Sequence, residues 1–459
     1  MSYSFKDPIV AISTAAGNGG VGIVRVSGTQ AVITELYQRL FKKDAPQSHR
    51  ATLVSLKDHN NDLVDRVLAI FFEGPKSYTG ESVLEIQAHG GRVLLGWIVE
   101  IILETGGDLG IRIAEPGEFT ARAFLNGKMD LVQAEAVSDL IDATSKNAIK
   151  AASRSLRGDF SKKITEINDL LIRLRVESEL ILDFPEEEVD FLSDYKIAEK
   201  LEDIIAKLRN VLSISQQGEI LRDGVRVALI GHTNVGKSSL LNALAGDDIA
   251  IVSDVEGTTR DKVQTQIHLE GIPFHIIDTA GIRETEDVVE KIGIERSKAE
   301  IAKADIILRV VDATLGVDQQ DAVLPVVRSL TAEGTPVITI LNKIDLLSEK
   351  PKVDVSRETI LMTSARSGEG LDQIRKELLK ISGWKNAESV YLARARHIAG
   401  IKSALVHLEK CKESLEVGDF LEFFAEELRL ASDDLGDIVG RTSSDDLLGM
   451  IFAGFCIGK

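Results

Sequence analysis

The spacing of apolar positions changes along the chain, and each change marks a zone. From residue 1 to about 120, short apolar runs alternate with glycine-rich turns. Residues 21–26, 67–72 and 83–87 carry β-branched, strand-like content. Residues 93–103 stay apolar for too long to be a strand and predict a helix stopped by Gly106-Gly107. This zone predicts a small α+β domain. From 121 to 217, apolar residues recur at three- and four-residue steps: Leu131, Ala134, Val137, Leu140 and Ile141, then Ile164, Ile167, Leu170, Leu171 and Leu174. That is helical periodicity, interrupted at Phe184-Pro185, where proline removes a helical donor. Between 222 and 384, short apolar runs at 225–230, 274–277, 306–311, 337–341 and 359–362 are mostly separated by helical stretches. They predict a largely parallel sheet with helices on both faces. The stretch 386–459 is helical again.

That last stretch, about 70 residues, would make a marginal core alone. Packing it on the first helical zone is the economical solution, and it makes 222–384 an inserted domain. The expected fold is therefore multidomain: an α+β N-terminal domain (1–120), an all-α helical domain in two parts (121–217 and 386–459), and an inserted α/β domain (222–384). A length of 459 residues is consistent with roughly three domains.

Composition narrows the function classes. Hydrophobic residues make up 44% and charged residues 27%, as in a globular protein. Lys and Arg number 54 against 72 Asp and Glu, for a net charge of −18. Such a chain does not coat nucleic acid non-specifically, though a local basic face would still grip RNA. Cys411 and Cys456 alone exclude a disulfide framework and a four-cysteine zinc site. The first residues show no secretory signal and no Arg/Ser-rich leader. No apolar run reaches the roughly 18 residues of a membrane span. The expected location is the cytoplasm, and the leader-free start points to a bacterial source.

The candidate chemistry sits in the inserted zone. Gly231-His232-Thr233-Asn234-Val235-Gly236-Lys237-Ser238 fits the phosphate-loop pattern between an apolar strand and a helical run at 239–244. Glycines let backbone N–H groups converge on phosphate oxygens, Lys237 neutralises the terminal phosphates, and Ser238 offers a hydroxyl to Mg²⁺. Gly257-Thr258-Thr259-Arg260-Asp261 supplies hydroxyls for a switch that senses the γ-phosphate. Asp278-Thr279-Ala280-Gly281 ends a strand and would place a carboxylate near Mg²⁺ and a glycine N–H near the γ-phosphate. Asn342-Lys343-Ile344-Asp345 ends another strand. Guanine presents N1–H and N2–H₂ side by side, and one carboxylate accepts both, so Asp345 selects the base. Ser364-Ala365-Arg366 would support guanine O6 with a backbone donor. Together these strings, in this order, indicate a GTPase.

One position departs from Ras-like switches. Where a water-positioning glutamine is expected after Gly281, the chain has Ile282. Hydrolysis must use another group, and Glu284, Glu286, Asp287 and Glu290 are nearby candidates. Basic residues form two clusters: Lys146, Lys150, Arg154 and Arg157, continued by Lys162 and Lys163, and then Arg394, Arg396 and Lys402. Each is either a solvated face or an RNA contact.

The ends of the chain make a resemblance specific. Phe455-Cys456-Ile457-Gly458-Lys459, Gly19-Gly20-Val21-Gly22-Ile23-Val24-Arg25 and Pro116-Gly117-Glu118-Phe119-Thr120, taken with the GTPase strings, resemble the MnmE (TrmE) family of tRNA modification GTPases. Arg122-Ala123-Phe124-Leu125-Asn126, Asp183-Phe184-Pro185 and Ser444-Asp445-Asp446-Leu447-Leu448-Gly449 extend the likeness over the whole chain.

The resemblance implies a folate-binding N-terminal domain that also dimerises, a discontinuous helical domain and an inserted P-loop GTPase. It implies a homodimer that joins an MnmG-like FAD-dependent subunit in a heterotetramer, FAD belonging to that partner. Together they would install a carbon-5 (carboxymethyl)aminomethyl group on the wobble uridine of certain tRNAs. The one-carbon donor would be 5-formyl- or methylene-tetrahydrofolate. The folate positions matched are Arg25, Glu85, Lys128 and Lys459. Cys456 is a candidate for covalent or acid–base chemistry, or else a small buried hydrophobe beside Phe452 and Phe455.

In such GTPases the G domains pair around K⁺, here matched by Asn234, Ser253, Val255 and Thr258. Glu290 matches the residue that positions the attacking water, alongside Lys237 and Thr259 in catalysis. Ser238, Thr259 and Asp278 match the Mg²⁺ ligands. The nucleotide set is Asn234, Val235, Gly236, Lys237, Ser238, Ser239, Ser253, Thr258, Thr259, Asp278, Thr279, Ala280, Gly281, Asn342, Lys343, Asp345, Ser364, Ala365 and Arg366. The alternative is a ribosome-assembly GTPase that acts by binding alone. Such factors usually add a basic or KH-type RNA module, and no Gly-x-x-Gly with basic surroundings is evident.

Overall fold

The structure is a computed structural model that describes residues 6–44, 46–183, 196–246, 249–250, 265–278, 299, 301–315, 324–349, 359–385, 390–415, 421–441, 448–449, 451–452 and 454–458. The chain divides into two compact units. One comprises Met1–Ser138, Ser155–Ile204 and Ser403–Lys459; the other comprises Asp139–Arg154 and Ile205–Lys402.

The first unit opens with β1 (Ile9–Ile12), β2 (Gly19–Gly28), α1 (Gln30–Phe41), β3 (Ala51–Lys57), β4 (Leu63–Phe72), β5 (Ser82–Gly90), α2 (Arg92–Thr105) and β6 (Arg112–Ile113). The strands form one sheet in the order β3-β4-β5-β2-β1-β6, antiparallel except for β1 against β6. Strand side chains alternate between faces. Val24, Val26, Leu84 and Ile86 therefore join Ile33 and Leu36 of α1 and Ile98 and Ile102 of α2 in one buried core. Fully burying each such side chain contributes about 1.5–3 kcal/mol. The apolar run at 93–103 is indeed helical, and the backbone N–H of Gly106 closes its end on Ile102 O at 2.9 Å. On the opposite face Ile9 and Ala11 meet Ala114, Phe119 and Tyr78.

Next come α3 (Glu118–Leu125), α4 (Leu131–Asp142), α5 (Lys146–Leu156) and α6 (Asp159–Asp183). α6 buries Phe160, Ile164, Ile167, Leu171 and Leu174, steps of four and three that keep one stripe inward. The near-terminal helix Leu421–Val439, which becomes α12 below, buries Phe424, Leu428, Ala431, Leu435 and Ile438 on the same rhythm and packs along α6. Phe184-Pro185 lies outside the described residues.

The second unit contains most of α7 (Ile197–Asp223) and a seven-stranded sheet. Its strands are β7 (Val225–Ile230), β8 (Ile249–Ala250), β9 (Thr265–Leu269), β10 (Ile272–Asp278), β11 (Ile306–Asp312), β12 (Val337–Asn342) and β13 (Thr359–Met362). Among the described residues they are accompanied by α8 (Lys237–Ala245), α9 (Leu324–Leu330) and α10 (Leu371–Ile381); α11 (Ala395–Ser414) and α12 follow.

The strand order is β13-β12-β11-β7-β10-β9-β8. From β13 to β10 the pairings are parallel, as the apolar runs predict. The central strand β7 is buried on both faces: Val227 and Leu229 enter one core, Ala228 and Ile230 the other. The edge departs from the parallel pattern, because β8 and β9 run antiparallel to their neighbours. For β9 against β10 the cause is a two-residue turn, Glu270-Gly271, with φ 51 and 82. Positive φ at both positions matches the twist of a tight hairpin.

Candidate functional site

The parallel strands finish on one edge, and their registers gather the candidate motifs there. Asp278 pairs with Leu229 at the end of β7, Asp312 with Asn342, and Leu341 with Met362. This is the edge at which open α/β sheets bind ligands. β7 leads through residues 231–236 into α8. The first helical bond of α8 runs from Leu240 N to Gly236 O at 2.8 Å, so the preceding amides at its N-terminus are free of intrahelical acceptors. Lys237 Nζ donates to Gly231 O at 2.7 Å and to His232 O at 3.1 Å, which holds its charge within the turn. Gly236 has φ 92, and a Cβ there would come within 2.5 Å of Asn342 Nδ2. Both facts restrict the position to glycine.

Asn342 ties three motifs together. It is 2% exposed; its Nδ2 donates to Val235 O at 2.8 Å, and its Oδ1 accepts from Ala365 N at 3.1 Å. Phosphate loop and base loop are thus joined through one amide. The 364–366 turn has its own braces: Thr363 Oγ1 donates to Glu369 O at 2.7 Å, and Ser367 N donates to Ser364 Oγ at 3.1 Å. Asp345 follows in the short helical turn Ile344–Leu346 and is exposed.

Asp312 belongs to this site, and no motif in the sequence announced it. It ends β11, and its carboxylate accepts from Lys343 Nζ at 2.7 Å and from Thr314 Oγ1 at 2.7 Å. Burial alone would raise its pKa, but the Lys343 and Thr314 donors more than offset this and hold it below the ordinary carboxylate value. Lys343 itself sits at φ 69, a left-handed position for a non-glycine residue. The sequence signal was a carboxylate closing a strand that is apolar apart from Arg309.

The donor chemistry suits the expected cations where it is described. Asn234 is exposed at φ 66, a conformation asparagine tolerates, and carries an amide oxygen of the kind K⁺ takes. Ser238 is exposed in the first turn of α8. Ser253, Val255, Gly257, Thr258, Thr259, Arg260, Asp261, Thr279, Ala280, Gly281, Ile282, Glu284, Glu286, Asp287 and Glu290 lie outside the described residues, and Asp278 is described only in its backbone. Among the described residues no cluster of His, Cys, Asp or Glu forms a metal site.

A second polar site lies in the first unit. Arg25 and Glu85 face each other in register on β2 and β5, with Arg25 Nη2 2.8 Å from Glu85 Oε1. The guanidinium carbon stands 5.5 Å from the Tyr78 ring centre and 5.7 Å from that of Phe119. Charge paired above aromatic rings suits a flat heteroaromatic ligand. Lys128 Nζ donates to Pro75 O at 2.8 Å, and its stem passes Gly80.

Behind Arg25 is a buried network. Arg122, 1% exposed, donates to Glu81 at 3.0 Å, to Glu118 at 2.8 Å and to Asp7 O at 2.6 Å. Arg112 donates to both oxygens of Glu118, at 2.7 and 2.8 Å. The C-terminal segment reaches the end of β1 and the residues just before α3. Ile457 bridges Pro116, Gly117 N donates to Cys456 O at 3.3 Å, and a Cβ on Gly458 would strike Ile12 O. Cys456 is exposed, so the buried alternative does not hold for it. Lys459 lies outside the described residues.

The basic clusters of the sequence separate. Arg154 donates to Val390 O at 3.4 Å, and Arg394 Nη2 lies 2.8 Å from Asp139, which also pairs with Arg222. Lys146, Lys150 and Arg157 remain exposed. No helix among the described residues is long and apolar enough to cross a membrane.

Comparison with known proteins identifies the family. The family described as MnmE helical domain matches residues 131–456, and that described as GTP-binding protein TrmE N-terminus matches residues 8–128. The tRNA modification GTPase MnmE of Bordetella petrii is 50% identical over 100% of both chains. That of Dechloromonas aromatica is 47% identical over 99% of this chain and 100% of its own. Among solved structures, the FeoB G-domain from Methanococcus jannaschii is 26% identical, covering 35% of this chain and 98% of its own with a TM-score of 0.26. That score adds nothing to the fold read from the strands. With whole-length identity of one half and both family descriptions matched in order, the chain belongs to the MnmE family of tRNA modification GTPases.

Proposed function

We propose that this chain is a K⁺-activated GTPase of wobble-uridine modification. It would work in the cytoplasm as a homodimer, joined by an MnmG-like FAD-dependent partner. The pair would add a (carboxymethyl)aminomethyl group to carbon 5 of the wobble uridine of certain tRNAs, the partner alone carrying FAD. The observation that carries the GTP reading is Asn342, which couples phosphate loop and base loop through 2.8 and 3.1 Å hydrogen bonds.

In this reading Asn234, Val235, Gly236, Ser238 and Ser239 line the phosphates with backbone N–H groups, and Lys237 offsets their charge. Asp345 accepts from the guanine edge, with Asn342, Lys343, Ser364, Ala365 and Arg366 around the base. Asp278, Thr279, Ala280, Gly281, Ser253, Thr258 and Thr259 complete the γ-phosphate side. Glu290 orients the attacking water. Mg²⁺ on Ser238, Thr259 and Asp278, and K⁺ on Asn234, Ser253, Val255 and Thr258, would supply the positive charge that stabilises phosphoryl transfer. A reduced folate would supply a one-carbon unit while Arg25, Glu85, Lys128 and Lys459 hold it, with Cys456 nearby as a nucleophile or acid–base group.

The test is GTP turnover by the full chain in matched K⁺ and Na⁺ buffers, together with the wobble nucleoside profile of cells lacking the protein. The expected result is faster turnover in K⁺ and loss of the modified nucleoside. Equal turnover in the two salts removes the cation role, and an unchanged nucleoside profile removes the modification role.

A further inference from the structure

We propose that a basic groove along the edge strand β3 holds the phosphodiester backbone of the tRNA substrate. The inference rests on the reading of tRNA as substrate and adds where on the first unit the RNA lies. Two hollows, of about 930 and 640 Å³, run side by side there and share Lys42, Lys43 and Leu53 in their walls.

The charge of the groove is opposite to that of the chain. Six cationic side chains line it (Arg39, Lys42, Lys43, Arg50, Lys57 and Arg66) against three carboxylates, Asp44, Asp58 and Glu104. The chain as a whole carries −18. Arg39 is committed to Glu35 and Asp108. The other five are exposed and have no carboxylate partner among the described residues. Arg50 and Lys57 hydrogen-bond only the neutral Gln47 and Asn61.

The cations come from separate elements. Lys42 and Lys43 follow α1, where cations complement the end of the helix. That local reason does not reach Arg50 and Lys57 at the two ends of β3, nor Arg66 on β4. The sheet register sets Arg66 opposite Ser55, between the cations at the two ends of β3. At about 3.4 Å per residue, Arg50 and Lys57 stand roughly 24 Å apart. The groove is therefore long enough to follow several phosphates of one RNA strand.

The lining also favours backbone over bases. Its larger aromatic rings, Tyr37 and Phe41, are buried at 3% and 8% exposure, which leaves the His59 imidazole as the one exposed ring among the lining residues. Five exposed lysines and arginines against a single exposed ring is the chemistry of sequence-independent phosphate contact.

The experiment is fluorescence-anisotropy titration of an unmodified tRNA transcript with the full chain and with a Lys43→Ala/Lys57→Ala/Arg66→Ala triple variant, across about 50 to 200 mM KCl. The expected result is an affinity at least about tenfold weaker in the triple variant, with a salt slope shallower by roughly two to three. RNA-free GTP turnover and melting temperature should stay at wild-type values, since all three side chains are exposed and remote in sequence from the phosphate loop. Wild-type affinity and slope in the triple variant overturn the groove while leaving the substrate reading intact. Failure of the wild-type chain to bind the transcript overturns both. Weakened binding of an acidic protein partner with tRNA affinity unchanged assigns the groove to protein and also overturns the proposal.

Discussion

Lys343 Nζ rests 2.7 Å from Asp312 Oδ2, across two strands that end in register. The lysine of the base loop is therefore held by a carboxylate from the neighbouring strand, and its left-handed backbone is supported from the side. Asp312→Asn should weaken GDP affinity about tenfold by freeing Lys343, measured by titration with a fluorescent nucleotide. It should also lower stability by about 1.5–3 kcal/mol, the usual range for a hydrogen bond to a charged group. Because the folded pKa of Asp312 is lowered, its contribution is present above the unfolded carboxylate pKa and is lost as pH falls through the folded value. The difference in urea midpoint between wild type and variant should persist from pH 7 to about pH 4 and shrink below that. A difference that vanishes between pH 7 and 5 would contradict the assignment.

Asn342→Ala removes both hydrogen bonds that join the phosphate loop to the base loop. Val235 O and Ala365 N are left without their partner, at a cost of about 1–3 kcal/mol each if they stay buried. GDP affinity and melting temperature should fall together. Loss of affinity with an unchanged melting temperature would limit Asn342 to ligand contact.

Arg122→Met should be among the most destabilising single changes in the first unit. It leaves Glu118, fully buried, with one cation instead of two, and it leaves Glu81 without its arginine. Breaking a buried ion pair by removing one partner costs about 3–5 kcal/mol. The denaturant midpoint of the first unit's transition reports this, and an unchanged midpoint would show the network to be dispensable.

Gly458→Ala tests the seat of the C-terminal segment. The residue has φ 96, and an added Cβ would meet the Ile12 backbone, so the segment must leave β1. Binding of 5-formyltetrahydrofolate should weaken at least about tenfold in a calorimetric titration. Gly110→Ala is the control, since it has φ 76 with nothing within 4 Å of the added atom. Equal effects from the two variants would mean that backbone strain alone is being measured.

Much of the molecule was legible before any coordinates. The apolar runs at 225–230 and 359–362 coincide with β7 and β13; in β7 alternate side chains enter two cores, so both faces are apolar apart from the exposed Arg226. The hairpin at Glu270-Gly271 was not legible, since glutamate is a weak turn signal and the pairing that fixes its positive φ is not local. Arg25 and Glu85 were ordinary charges until the family resemblance singled them out. They are 60 positions apart, and only sheet register makes them a pair.

The amino-acid order by itself determined the nucleotide loop and the period of each element, because glycine placement, capping and hydrophobic spacing act over a few residues. The tertiary structure alone decided that Asp312 holds Lys343, that Asn342 spans two loops, and that five cations with no carboxylate partner among the described residues line one groove. Those relations depend on strand order and register, and a charge becomes specific only when distant backbone brings its partner, or withholds one.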